Sequence, residues 1–283
     1  MMGSAIDLIK TCETLPSLPE AYFRIQQIVN DPEGSMLDLA KAISIDPALT
    51  ARVLKLVNSA FYDMPRKVET VSRAASMLGM FPIHDLVLAT SVTNAFSNMT
   101  QTIMDMKTFW RQSVVCGLLA RELGKQAGLL DSERLFVEGL LCDIGHLVMY
   151  IQIPGPAQAA LSQHQETGRP LFEIERERLG FDFAEVGAGL LEEWNLPQNF
   201  QEALRAHTDF QGTTDYALEA GMLHVAGSLT RNHTIDETQP QWPTDVNANA
   251  WEITGLTEDC LIPVLEAVRP QLDSVLGLII QAR

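Results

Sequence analysis

The chain has 283 residues, 46% hydrophobic and 20% charged, enough for one large or two ordinary domains, and no run of about 18 apolar residues that would predict a membrane span. A formal net charge of −16, spread along the chain without a Lys/Arg cluster, would repel a phosphate backbone and argues against nucleic acid as a partner. Four cysteines, at 12, 116, 142 and 260, lie far apart with no CxxC pair, which fits free thiols in a reducing cytoplasm better than a disulfide framework or a zinc cluster.

The first residues, MMGSAIDLIKTCETL, lack a basic flank followed by an apolar block, so no secretory signal is expected and a cytoplasmic location follows. Ser17-Leu18-Pro19-Glu20 reads as a capping box opening a helix with Leu18, Tyr22, Ile25 and Val29 on one stripe. Asp31-Pro32-Glu33-Gly34 breaks it. Ser35 with Asp38 opens another helix, and Asp46-Pro47 caps a third with Leu49, Val53, Leu56 and Val57 inward. Asn58 ends that helix in Asn58-Ser59-Ala60-Phe61-Tyr62 and is expected to tether the loop that follows. Thr70 starts a helix that Gly79 stops, and Pro82 starts the next. No two-period strand pattern appears in residues 1–100.

Residues 101–107 read as a junction. A long helix follows from Phe109 to about Gln126, with Gln112, Cys116, Leu119 and Leu123 on one face. Residues 135–150, LFVEGLLCDIGHLVMY, form an almost wholly apolar helix in which Phe136, Leu140, Asp143 and Leu147 share a face. A carboxylate on that side is costly unless paired, hydrogen-bonded or bound to metal. Asp143 is expected to be a buried acceptor bonded to Gln112, Arg111 or backbone N–H groups. Pro154-Gly155-Pro156 ends the element. Amphipathic helices then follow to about residue 229. Residues 231–256 are polar, with Pro240 and Pro243, and read as a surface connection covering part of the bundle. The stretch from about 258 to 281 is helical in period, with Pro263 and Pro270 expected to kink or divide it.

The run Gly139-Leu140-Leu141-Cys142-Asp143-Ile144-Gly145 resembles the central helix of the HD superfamily, metal-dependent phosphohydrolases with a His-Asp pair in a setting such as GLLHDIG. Residues 46–62, DPALTARVLKLVNSAFY, with VSRAASMLG at 71–79, resemble the amino-terminal part of the HD-related output domain (HDOD) family, a degenerate branch of that superfamily. The resemblance covers roughly residues 15–230. It implies an all-α fold: a helical lobe over 1–105, a degenerate HD-like bundle over 106–230, and a connection with carboxy-terminal helices packing on the bundle over 231–283.

Catalytic relatives hold metal with a His on the preceding helix, the His-Asp pair and a later Asp, and two-metal members add His ligands. Against that pattern Gln112 stands for the first His and Cys142 for the paired His, while Asp143 remains. Phe183 stands where two-metal members carry a His, His207 matches a later His, and no Asp occurs near Ala226-Gly227-Ser228. The expectation is therefore a vestigial site of Gln112, Cys142, Asp143, Phe183 and His207, with no catalytic residue, metal or other cofactor. Asn58, Phe61 and His146 are the candidates for ligand or partner contact. The resemblance implies a non-catalytic bacterial signal-transduction output module, with a protein partner and a small ligand as its candidate binding partners through helix faces and the cleft between lobes. The rival reading is a divergent metal phosphohydrolase acting on a nucleotide or cyclic dinucleotide, with an unusual set such as His146, His207, His224 and Cys142 around Asp143.

Overall fold

The computed structural model describes residues 4–12, 15–97 and 103–280. Every regular element among them is helical, as the spacing of apolar positions predicts. Two compact units emerge, and they do not follow chain order. One gathers the described residues as far as Leu15 with those between Thr100 and Val264; the other gathers those from Pro16 to Met99 with those from Leu265 onward. The division at 105/106 and 230/231 thus follows the chain rather than its packing. The junction read at 101–107 begins on residues outside those described.

The unit built mainly from residues 16–99 holds α2 (Glu20–Asn30), α3 (Met36–Ser44), α4 (Pro47–Val57), α5 (Val71–Leu78) and α6 (Met80–Ala95). Ser35, Asp46 and Thr70 each accept a first-turn N–H and so cap α3, α4 and α5. Ser17 does not cap α2, which starts at Glu20 after Pro19 with no side-chain cap. A proline disfavours helical geometry in the residue before it, so the helix cannot begin at Leu18. Buried from Ile83 to Thr93, α6 is the core of this unit, and α2, α4 and α5 pack on it.

The other unit holds α1 (Ala5–Lys10), α7 (Met106–Gln126), α8 (Ser132–Leu141), α9 (Ile144–Gln152), α10 (Pro154–Thr167), α11 (Leu171–Leu179), α12 (Phe183–Glu193), α13 (Gln198–Ala206), α14 (Ala217–Arg231) and α15 (Ala248–Thr254). α7 lies against α8 and α14, α9 against α12, and α13 between α12 and α14. The run at 135–150 is not one helix. It breaks at Cys142–Asp143, because its halves follow different partners. Gly139 in α8 meets Gly117 of α7 so closely that a Cβ would lie 2.8 Å from the Gly117 Cα. Gly145 in α9 meets the start of α12, where a Cβ would lie 1.9 Å from the Phe183 carbonyl oxygen. The span Ser132–Gln152 is long and apolar enough by composition to cross a membrane, yet 83% of its apolar window is buried inside the fold.

Residues 231–256 lie on α14: Asp245 accepts from the Ser228 hydroxyl and from the Asn232 amide at 3.2 Å, and α15 packs on the same helix. α16 (Leu261–Ile280) runs through both prolines as one helix rather than dividing. Pro263 sits in its first turn, where an N–H has no intrahelical partner to lose.

Candidate functional site

The α8–α9 break carries two of the predicted residues outside regular helix. Asp143 takes φ −97° and ψ 5° at the amino-terminal boundary of α9 and is half-buried. Among the described residues its carboxylate receives no hydrogen bond, and the expected Arg111 pairs instead with Asp236 at 2.7 Å. The reason is the break itself, which removes Asp143 from the helix face where those donors would have met it. Cys142 is buried, and its Sγ lies 3.4 Å from the Sγ of Cys116 on α7. That thiol–thiol contact, then burial, push the Cys142 thiol well above its ordinary range.

His207 lies just after α13 and is 1% exposed. Its Nδ1 lies 2.6 Å from the Leu204 carbonyl, which only accepts, so Nδ1 carries the proton and donates. Nε2 then holds the lone pair, and it has no partner. Burial brings the imidazole down to about 4, which keeps it neutral near pH 7. The ligand atoms of Cys142, Asp143 and His207 all lie within 4.8 Å of one another.

His224 stands behind this group. Its Nδ1 donates to the His207 carbonyl at 2.7 Å, and its Nε2 accepts from the Asn247 backbone N–H at 3.0 Å. Both ring nitrogens are committed, so His224 fixes the backbone of residue 207 and has no lone pair to offer a metal. Phe183 occupies the other side: it stacks on His146 at 4.0 Å between centroids and meets His207 edge-on at 5.7 Å. The phenyl ring separates two imidazoles.

His146 turns away to Glu175, with Nε2 3.2 Å from Oε1 but off the hydrogen-bond direction, an ion contact rather than a directed bond. Burial opposes a charge there, but the Glu175 carboxylate outweighs it and holds the His146 pKa above its ordinary value. Glu175 also accepts the Phe183 N–H at 3.0 Å. Beside it, fully buried Asp182 caps α12 through the Glu185 N–H at 2.9 Å and accepts from Arg176 at 2.8 Å and from the Thr208 hydroxyl at 3.3 Å.

The structure therefore brings together Cys142, Asp143, Phe183 and His207. Gln112 lies on α7 one turn before Cys116, half-buried and without a hydrogen bond among the described residues. Asn58 tethers its loop through Leu54 O, Val68 O and Val68 N at 2.7–2.8 Å, as expected of it. Phe61 is 3% exposed and His146 8%, so neither is presented to a partner. The residues that sequence reasoning missed are Cys116, Glu175, Asp182 and Arg176. Only Cys116 left a signal, its place on the apolar face of α7 one turn after Gln112.

The residues do not fit a hydrolytic two-metal centre. Phe183 cannot ligate, both nitrogens of His224 are used, and His146 points at Glu175.

The pattern that defines the HDOD domain matches residues 15–210. An uncharacterised protein of Treponema pallidum (strain Nichols) is 27% identical over 207 residues, 72% of this chain, and the chain spans about two fifths (39%) of that relative's length. The solved structure of a candidate phosphohydrolase from Shewanella amazonensis SB2B is similar over 99% of this chain and 100% of its own, with 27% identity and a TM-score of 0.77. A candidate signal transduction protein from Marinobacter aquaeolei VT8 shares the fold over 99% of this chain and 62% of its own, with 21% identity and a TM-score of 0.73.

Proposed function

Because the chain belongs to the HDOD domain family, matched over residues 15–210, we propose that it is a non-catalytic signalling module that works by binding a protein partner through its helical surfaces. One observation carries the non-catalytic part: the Phe183 ring lies against both His146 and His207, where metal-dependent hydrolysis would need ligands. Metal-assisted hydrolysis requires an ion with open coordination positions that polarises the phosphoryl oxygen and generates hydroxide near neutral pH. Gln112, Cys142 and Phe183 supply amide, thiol and phenyl groups in place of three imidazoles. The signalling part is supported by the family and by the fold shared with the Marinobacter protein.

The second reading, a divergent phosphohydrolase, is favoured by the donor group of Cys142, Asp143 and His207 and by the likeness to the Shewanella protein. One assay separates the two. Purified chain incubated with manganese and either a cyclic dinucleotide or an activated phosphodiester is expected to release no product above the metal-only rate. Turnover that Asp143→Ala abolishes while the melting temperature holds would establish the phosphohydrolase.

A further inference from the structure

Two neighbouring side chains of the vestigial site, Asp143 and His207, end in ligand atoms that receive no hydrogen bond among the described residues, and beside them the Cys142 thiol touches the Cys116 thiol. We propose that Cys142, Asp143 and His207, with Cys116 as the fourth donor, form a closed structural site for a single zinc-class ion. This goes beyond the non-catalytic reading and does not depend on it.

The geometry argues as follows. Nε2 of His207 is an unpartnered, buried acceptor aimed into the group, the state a neutral imidazole must be in to ligate. Its orientation is fixed twice, by Nδ1–H on Leu204 and by His224 on the His207 carbonyl, the usual outer support of a metal-bound histidine. The Asp143 carboxylate is free of hydrogen bonds among the described residues. Ligand bonds of about 2.0–2.3 Å in a tetrahedron place donors roughly 3.3–3.8 Å apart. The two sulfurs are already 3.4 Å apart, and the other three-way group lies within 4.8 Å. Closure needs the three-way group to draw in by about an ångström and Cys116, which touches Cys142 but lies outside that group, to swing further toward Asp143 and His207. Cys142 and Asp143 lie in the helix break and can supply the inward shift.

The donor set selects the ion. Two thiolates and an imidazole favour a borderline-soft metal over magnesium, calcium or manganese. Binding releases both thiol protons to solvent, leaving a centre of net charge −1. The Arg231 guanidinium, close enough to act on both Cys142 and His207, offsets that charge. Four protein donors fill a tetrahedral ion, so no position remains for an attacking water. Catalytic relatives, as the family pattern implies, use imidazoles and carboxylates; here the same corner of the bundle would hold an ion through sulfur.

The test uses the full chain, purified without chelator, incubated with zinc chloride and desalted. About one zinc per chain is expected by elemental analysis. Replacing zinc with cobalt(II) should give thiolate-to-cobalt charge-transfer absorption in the near ultraviolet. Cys116→Ser should roughly halve that absorption per cobalt, because one of two sulfur ligands is gone. Cys142→Ser and His207→Gln should each weaken zinc binding about tenfold or more, and Cys260→Ser should leave it unchanged. Should a variant fail to fold, wild-type protein answers instead: in denaturant just sufficient to open the metal-free chain to alkylation, zinc is expected to shield the buried Cys116 and Cys142, but not Cys260, as read by mass spectrometry. Less than about a tenth of an equivalent of zinc, cobalt bound without the sulfur band, or thiols alkylated equally with and without zinc would overturn the site. The manganese assay keeps the two readings apart. Zinc without hydrolysis supports both, hydrolysis that is lost with the zinc overturns the non-catalytic reading and the closed coordination together, and neither zinc nor hydrolysis overturns only the site.

Discussion

At the scale of the residue, Asp143 and Asp182 have opposite surroundings although both lie at the amino-terminal boundary of a helix. Asp182 is fully buried, and three donors converge on it, one of them charged. Asp143 has none among the described residues. In chelator-treated protein, Asp143→Ala is therefore expected to change stability by no more than about 0.5 kcal/mol. Asp182→Ala should cost about 2 kcal/mol by uncapping α12 and leaving the buried Thr208 hydroxyl without its acceptor, while Arg176 keeps Asp209 at 3.1 Å. Thermal melts of both variants check the contrast; equal losses would contradict it. His146 gives a pH signature. Its folded pKa is raised, so the folded state holds the proton more tightly. The resulting stability is fully present below the unfolded value of about 6.5 and is lost as pH rises through the folded value. The melting-temperature gap between wild type and His146→Gln should be widest below about pH 6.5 and shrink toward pH 9; a gap that widens with pH would contradict the Glu175 pairing. Asp143, Cys142 and His207 could be read from local motifs. Glu175, Asp182 and Arg176 could not, because spacing along a chain says which face a residue occupies and not which distant side chain will meet it.

At the scale of the element, most helices were legible because their ends carry chemistry. Ser35, Asp46, Thr70 and Gly79 all do at the ends what their side chains or backbones favour. The division of residues 135–150 was not legible. No proline marks it, Asp143 stands at the break without capping α9 through its side chain, and the cause is tertiary: two glycines that allow two different helices to approach. Sequence shows a glycine but not the backbone that will lie against it. Gly145→Ala places a methyl 1.9 Å from the Phe183 carbonyl oxygen, so helix α9 must move off α12. A loss of about 3 kcal/mol or more is expected in chemical denaturation. Gly155→Ala in α10 meets nothing within 4 Å and should be neutral or gain a few tenths of a kcal/mol. Similar effects from the two substitutions would mean that the α9–α12 contact is loose.

At the scale of the whole molecule, the fold class and the helical character throughout were readable, but the membership of the two units was not, since period and capping are local and carry no record of which segments meet. The segment beyond Leu265 buries Leu265, Val268, Leu272, Val275 and Ile279. At about 1.5–3 kcal/mol for each buried apolar side chain, losing that set is comparable with the whole usual margin of a domain. Deleting residues 265–283 should therefore leave residues 16–99 without a cooperative melt and with apolar surface that binds a reporter dye. A fragment of residues 16–99 that unfolds cooperatively by itself would show the grouping to be energetically idle. The interleaving also bears on how the chain acquires its fold as it is made. On the ribosome residues 16–99 emerge before residues 100–264, yet the helix they group with begins to emerge only after those residues have been made. The HD-like unit must meanwhile bring Leu15 back to its later helices across everything in between. Neither unit can be finished before the other has begun, so maturation is set by emergence of the segment beyond Leu265 rather than by domain-by-domain vectorial folding.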